Sequence, residues 1–285
     1  MKQAVFLIQA SDRTGLLSQL SGFFFESNLN ILHCTQYSDE LEHLYFMRVR
    51  VDLTTLQTTR REMYDTFAEF CNLIGVNKFK VRYMDEIPRM AIMVSKTSHC
   101  LYDLLMHQQD GDLRCEIPLI ISNHPDLEAV ADKFRIPYYC VPIINNDKAT
   151  QEAQIIELLE RHHIDLVVMA RYMQVLSDDF CKRYEHKIIN IHHAFLPAFQ
   201  GGNPYYRAWQ RGVKMIGATA HYATADLDEG PIIEQDVERV SHEDTPESLK
   251  QLGKDIERRV LTRAVKAHLN HCVIISGRRT IVLSN

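Results

Sequence analysis

From Met90 onward the chain alternates short apolar runs with stretches of helical period, and this alternation limits the fold more than any other feature of the sequence. The runs Met90 to Ser95, Ile117 to Ser122, Pro137 to Val141 and Ile164 to Ala170 read as strands, with helices near Leu101 to Met106, Leu127 to Phe134 and Gln151 to His162 between them. Strands that alternate with helices in this way predict a largely parallel sheet covered by helices, with ligands bound beyond the carboxyl ends of the strands. Ile216 to Ala223 and Pro231 to Val240 then read as strands joined by an acidic loop. Thr245-Pro246 supplies a cap and first-turn proline for a helix with the apolar stripe Leu249, Leu252, Ile256, Val260 and Ala264. Val273 to Ile275 and Thr280 to Leu283, around Gly277, predict a closing hairpin.

Ahead of this region lies a different pattern. Ala4 to Ala10 is a buried-strand run, Ser11-Asp12-Arg13-Thr14-Gly15 is turn-rich, and Leu16, Leu17, Leu20, Phe23 and Phe24 recur at helical spacing. Ile31 to Tyr37 and Leu44 to Val51 read as a hairpin, a second helix spans roughly Thr58 to Ile74 with Met63, Phe67, Phe70 and Ile74 on one stripe, and Phe79 to Tyr83 closes the unit. The order βαββαβ is that of a ferredoxin-like sandwich. The polar joint Asp85-Glu86-Ile87-Pro88-Arg89 follows, so the expected division is residues 1–84, a linker at 85–89, and an α/β domain at 90–285.

The balance of charges narrows the function classes. Thirty-two basic against thirty-seven acidic side chains give a net charge of −5, without the basic excess that phosphate-backbone binding uses, so a nucleic-acid partner is disfavoured. Seven cysteines with no CxxC pair argue against a disulfide framework and a cysteine-rich zinc site, and fit a reducing cytoplasm. The apolar start meets Asp12-Arg13 early and reads as a strand rather than a signal peptide, and no run approaches the ~20 apolar residues of a membrane span. No GxGxxG or GxxxxGK[ST] marks a dinucleotide or nucleoside triphosphate site.

Two segments carry polar groups that fit catalysis. In Ile188-Ile189-Asn190-Ile191-His192-His193-Ala194-Phe195-Leu196-Pro197, Asn190 and His192 are two apart on an apolar strand and point to the same side. They are either strand-end polar groups satisfied by loop backbone or an amide donor beside an imidazole. In Gly217 to Pro231, three carboxylates fall within four positions at Asp226, Asp228 and Glu229, ordinarily a solvated loop. Together with Asn-x-His, Asp228 suggests a carboxylate that orients and charges an imidazole for general acid–base work. The fourteen histidines include no HExxH and no i, i+4 pair on a zincin-like helix, which disfavours a metal site, and no cysteine stands out as a nucleophile.

Asn190 to Tyr205, Arg211-Gly212-Val213-Lys214 and His221 to Gln235 resemble the corresponding segments of the formyltetrahydrofolate deformylases, and the resemblance covers essentially the whole chain. Asp12-Arg13-x-Gly15-Leu16-Leu17 resembles an ACT domain, a small-molecule regulatory module, ahead of a formyltransferase-fold catalytic half. The resemblance implies hydrolysis of 10-formyltetrahydrofolate to formate and tetrahydrofolate, in support of one-carbon balance and purine synthesis, with no metal or organic cofactor. It implies a catalytic trio of Asn190, His192 and Asp228, supported by His221. The folate would be held by residues 170–176, among them Met173, Gln174 and Leu176, and by loop 223–228 at Ala225. Ala194 stands where many members carry Ser. For the leading domain it implies a homo-oligomer and a possible amino-acid effector; backbone N–H groups at a helix start and a permissive Gly15 suit a small zwitterion, so Asp12, Gly15 and Asn30 are its expected contacts, a capped turn with no ligand being the alternative. A related family, the glycinamide ribonucleotide formyltransferases, has a glycine-rich anion-binding loop after its first strand. Here that loop is Val94-Ser95-Lys96-Thr97-Ser98-His99-Cys100, without a glycine, which lowers the amine-transferase alternative. The other alternative is a non-catalytic folate and amino-acid sensor.

Overall fold

The structure, a computed structural model, describes residues 2–76, 78–197 and 204–283. The chain divides into two compact units, one of Met1–Ile87 with Asn270–Ser276 and Ile281–Asn285, the other of Pro88–Leu269 with Gly277–Thr280.

The first unit runs β1 (Gln3–Ser11), α1 (Leu16–Glu26), β2 (Asn30–Asp39), β3 (Leu44–Asp52), α2 (Arg60–Leu73) and β4 (Lys78–Tyr83). Its sheet has the order β2-β3-β1-β4, antiparallel throughout. Alternate residues of β1, Ala4, Phe6, Ile8 and Ala10, meet Phe23 and Phe24 of α1 and Met63 and Phe67 of α2 in one core. The ring of Phe6 packs edge-on against Phe24 and Phe67, at 5.0 and 4.8 Å. The turn into α1 needs Gly15, whose φ of 83° lies where a Cβ is unfavourable. By contrast α2 starts on a capping box, with Thr59 and Glu62 satisfying each other's backbone N–H groups.

The second unit runs β5 (Arg89–Val94), α3 (His99–Gln109), β6 (Glu116–Ser122), α4 (Glu128–Phe134), β7 (Tyr138–Cys140), α5 (Lys148–Arg161), β8 (Leu166–Met169), α6 (Asp178–Arg183), β9 (Ile188–His192), α7 (Pro204–Arg211), β10 (Met215–Tyr222), β11 (Ile232–Arg239) and α8 (Pro246–Leu269). Its seven-stranded sheet has the order β11-β10-β9-β8-β5-β6-β7. Strands β5 to β9 are parallel, and β10 and β11 add antiparallel to the edge beside β9. The order reverses between β5 and β8, which opens a crevice at the carboxyl ends of these strands. The strand expected over Ile164 to Ala170 is the shorter β8, and α6 and α7 are short helices that the apolar period did not mark.

Residues 270–283 form the last hairpin, β12 (Val273–Ser276) with β13 (Arg279–Val282). Ile274 and Leu283 pack on Val5, Leu7 and Phe46, the face of the first sheet turned away from its helices. Arg48, 1% exposed on that face, donates from Nε to the His271 carbonyl at 2.9 Å and from Nη2 to that of Asn270 at 3.0 Å. Periodicity carried the second domain to residue 285; most of the tail instead groups with the first unit, because that sheet is apolar on both faces and the tail covers the second one.

Candidate active site

The site starts from the alternation of β9. Its Ile189 and Ile191 are buried, while Asn190 and His192 lie on the other side of the strand. The antiparallel register with β10 sets Asn190 opposite His221, and His192 opposite Thr219. Asn190 Nδ2 therefore meets His221 Nε2 at 3.2 Å. His221 Nδ1 lies 3.0 Å from the carbonyl oxygen of Tyr222, which assigns it the ring proton and turns Nε2 to accept from the amide. One of the two amide N–H bonds of Asn190 is thereby used; the other is available to the cleft that Asn190 lines.

Beyond β10 the chain turns through Asp228, a non-glycine residue at φ 58°. The turn brings Asp228 Oδ2 to 3.1 Å from His192 Nδ1 and Oδ1 to 3.5 Å from His221 Nε2, with all three side chains at most 8% exposed. Burial raises the Asp228 carboxyl, but the hydrogen bond it accepts from His192 Nδ1 outweighs this and holds the group well below the usual carboxylate range. Asp228 is thus an anion that fixes His192 Nδ1. The other ring nitrogen, Nε2, is buried and has no hydrogen-bond partner among the described residues.

The turn after His192 is held from β10. Thr219 Oγ1 donates to the Ala194 carbonyl at 2.9 Å and accepts from Leu196 N at 3.0 Å, so this side chain fixes the turn by its backbone groups. His193 stacks on His192 with ring centroids 5.1 Å apart. Burial, with Arg171 and His192 close by, lowers its pKa to about 4, so at neutral pH it is an uncharged imidazole.

A cleft of about 700 Å³ opens over these groups. Asn190, His192, His221 and Asp228 line it, and so do Met173, Gln174 and Leu176 on the segment after β8, with Thr224 and Leu227 across from the sheet. Ala225, expected as a folate contact, is not among the lining residues. The effector positions lie in the first unit, all exposed. Asp12 and Gly15 adjoin the turn after β1, but Asn30 pairs with Asp52 and thus stands level with Gln3. That is the far end of β1, roughly 27 Å away at ~3.4 Å per residue, so within one chain Asn30 does not join the other two. Residues 198–203 of the resembling segment lie outside the described residues.

Sequence reasoning missed a second polar group, buried behind the cleft residues Arg171 and Tyr205. Glu257, on α8 and 1% exposed, takes His99 Nε2 at 2.7 Å and the Tyr205 hydroxyl at 2.6 Å, with Arg171 Nε at 3.5 Å. Burial raises its carboxyl, yet His99, Arg171 and Tyr205 together lower it on balance. His99, Cys100 and Glu257 offer ligand atoms within 4.8 Å of one another. A cation there would have to displace the guanidinium and the phenol and draw a proton from a thiol that burial and Glu257 push well up, so the group fits an ion cluster better than a metal cage.

Residues 88–265 match the family model described as formyl transferase, and residues 4–66 match that of the ACT domain. The chain is 47% identical over 281 residues to a formyltetrahydrofolate deformylase of Synechocystis sp., covering 99% of this chain and 98% of that protein. It superposes on the crystal structure of a formyltetrahydrofolate deformylase of Pseudomonas syringae pv. tomato with a TM-score of 0.95 at 39% identity, covering 100% of this chain and 95% of the other. A glycinamide ribonucleotide transformylase of Symbiobacterium toebii is more distant, with a TM-score of 0.66 and 27% identity over 71% of this chain and 97% of the other.

Proposed function

The chain belongs to the formyltetrahydrofolate deformylase family, and we propose that Asn190, His192 and Asp228 are the groups with which it hydrolyses 10-formyltetrahydrofolate to formate and tetrahydrofolate. The observation that carries this assignment is the division of the His192 ring. Nδ1 is committed to the Asp228 anion, and Nε2 is buried without a partner in a ring that lines the cleft.

Water placed between His192 and the formyl carbon gives its proton to Nε2 as its oxygen bonds to carbon. The carbonyl oxygen becomes an oxyanion that the free N–H of Asn190 meets, a donor of the kind worth ~3–4 kcal/mol. The imidazolium forms against the Asp228 carboxylate, which is already ionised and stabilises it. When the carbon–nitrogen bond breaks, Nε2–H returns a proton to the leaving nitrogen, and formate and tetrahydrofolate result. His221 holds Asn190 in place without touching the reacting atoms. Met173, Gln174 and Leu176, with the loop 223–228, would hold the pteridine. The test is release of formate from 10-formyltetrahydrofolate by pure protein with no amine present; a protein that binds the folate and forms no formate would be a sensor and not a hydrolase.

In the first unit, the exposed turn Asp12 to Gly15 is the proposed place for a free amino acid, whose carboxylate the N–H groups at the start of α1 suit. A titration of hydrolysis against free amino acids checks it, and no response to any of them would retire the site. Assembly of copies of the chain, and a role in one-carbon balance and purine synthesis, complete the reading.

A further inference from the structure

Resting on that reading, we propose that Glu257 is a positioning residue for the substrate. From α8 its buried carboxylate sets, through Arg171, the place of segment 171–176, along which the folate would lie.

This segment has no regular backbone structure of its own. Residues 171–177 belong to no strand or helix, so side chains have to fix them. On α5, Gln151 Nε2 donates to the Tyr172 hydroxyl at 3.2 Å and Glu152 Oε1 accepts from Ser177 N at 2.8 Å. Ser95 Oγ, just after β5, accepts from Met173 N at 3.0 Å. Tyr172 and Leu176 pack with Ile155 and Phe180 in the core under α5 and α6, to which α8 contributes no described residue. Arg171 runs the other way, its Nε 3.5 Å from Glu257 Oε2 on α8. Adjacent residues are thus tied to two different helices, and the Arg171 tie decides how the start of the segment sits over the cleft.

Glu257 is the fixed end of that tie. Its Oε1 accepts the Tyr205 hydroxyl at 2.6 Å and its Oε2 lies 2.7 Å from His99 Nε2, so α7 and α3 hold both oxygens. Arg171 is the placed end. Its Nε and Nη1 are buried and make no hydrogen bond among the described residues, so charge rather than hydrogen bonding joins the two groups. With side chains only 16% and 2% exposed, that attraction is screened far less than at a surface. Such a pair adds little stability, because apolar side chains of similar volume do as well or better; what it supplies is one defined arrangement. Met173 and Gln174, just beyond Arg171, line the cleft, whereas Asn190, His192 and Asp228 stand on β9 and the loop after β10. Loss of the tie therefore shifts the wall that touches the folate and leaves the reacting groups in place. Binding should suffer and chemistry should not.

Steady-state formate release from 10-formyltetrahydrofolate by the full chain separates the two. Glu257→Gln removes the charge and keeps the shape, and it should raise KM about tenfold or more with kcat within about threefold of the unaltered value. Arg171→Met should do the same, while Arg171→Lys, which keeps a cation, should stay within about threefold of the unaltered KM. Since Arg171 also lines the cleft, the double substitution is the sharper measure. If Glu257 acts through Arg171, the KM of the double variant matches that of Arg171→Met; if the two contribute separately, their effects multiply. Arg259→Met, which breaks a surface ion pair between the same helix and Asp236, should change neither constant. Should Glu257→Gln fail to fold, Glu257→Asp, which draws the charge back by one methylene, should still raise KM about threefold or more with kcat held. The assignment is overturned by an unchanged KM in a folded Glu257 variant, by a fall in kcat without a rise in KM, or by multiplying effects in the double variant. It is overturned equally by a KM in Arg171→Lys as high as in Arg171→Met, or by the same rise in Arg259→Met. Absence of formate from the unaltered protein would instead overturn the hydrolase reading.

Discussion

His192 and Asp228 act as one unit, and their separate substitutions should show it. His192→Ala and Asp228→Asn are each expected to lower kcat ~100-fold or more, since each removes the oriented acid–base group, and the double substitution should cost little beyond either. Asn190→Ala should lower kcat by ~100- to 1,000-fold as a lost oxyanion donor. Steady-state formate release checks all four. Asp228 also links stability to pH. Its folded pKa is depressed, so its contribution is fully present above the unfolded value near ~3.9 and is lost as the pH falls through the lower folded one. The stability difference between the unaltered protein and Asp228→Asn should therefore be constant from pH 8 to 5 and shrink below pH 4 in urea titrations. Asn190 and His192 were legible because a strand's period of two puts them on one side. Asp228 became distinctive only beside them and through the family resemblance, since one acidic loop residue looks like another. Glu257 was hidden by its place one position off the stripe of Leu249, Ile256 and Val260. A trace remained in the row Gly253, Glu257, Leu261, Val265 at four-residue spacing, all buried.

Among the elements, those with a strong period or a cap could be read from the chain and the short ones could not. The stripe Met63, Phe67, Phe70 and Ile74 located α2, and its start at Arg60 follows from the Thr59–Glu62 capping box. Thr59→Ala should cost ~1 kcal/mol, seen as weaker hydrogen-exchange protection of the first-turn amides of α2, with protection in α8 unaffected. Helix α6 is only Asp178–Arg183, too short for a period, yet Ser177 Oγ accepts from Phe180 N at 3.2 Å and marks its start. The strands β9 and β10 carry most of the site because the sheet turns antiparallel between them, which brings the start of one beside the end of the other. Without that reversal, Asn190 and His221 would not face each other across a single pair.

At the scale of the whole chain, the order of a βαββαβ unit before a largely parallel sheet could be read, and the path of the tail could not. Strand β1 carried the missing sign: Ala4 to Ile8 is apolar at every position, which a sheet covered on one face only does not require. The second cover is the tail, and His271 sits in it at φ 53° with its carbonyl on Arg48. Burial, then Arg82 and Arg48, lowers its pKa to about 4, against ~6.5 in an unfolded chain. Between those values the unfolded chain binds more protons than the folded one, so the stability of the first unit falls as pH drops from about 6.5 to about 4. From pH 7 to 5 this one ring is expected to remove ~1–2 kcal/mol. His271→Asn removes the titration and keeps a residue that accepts the left-handed backbone. Hydrogen exchange of β1 and β3 amides, compared at the two pH values after correction for the intrinsic rate, should then show the acid-linked loss reduced by that amount; an equal loss in both proteins would assign it to other groups.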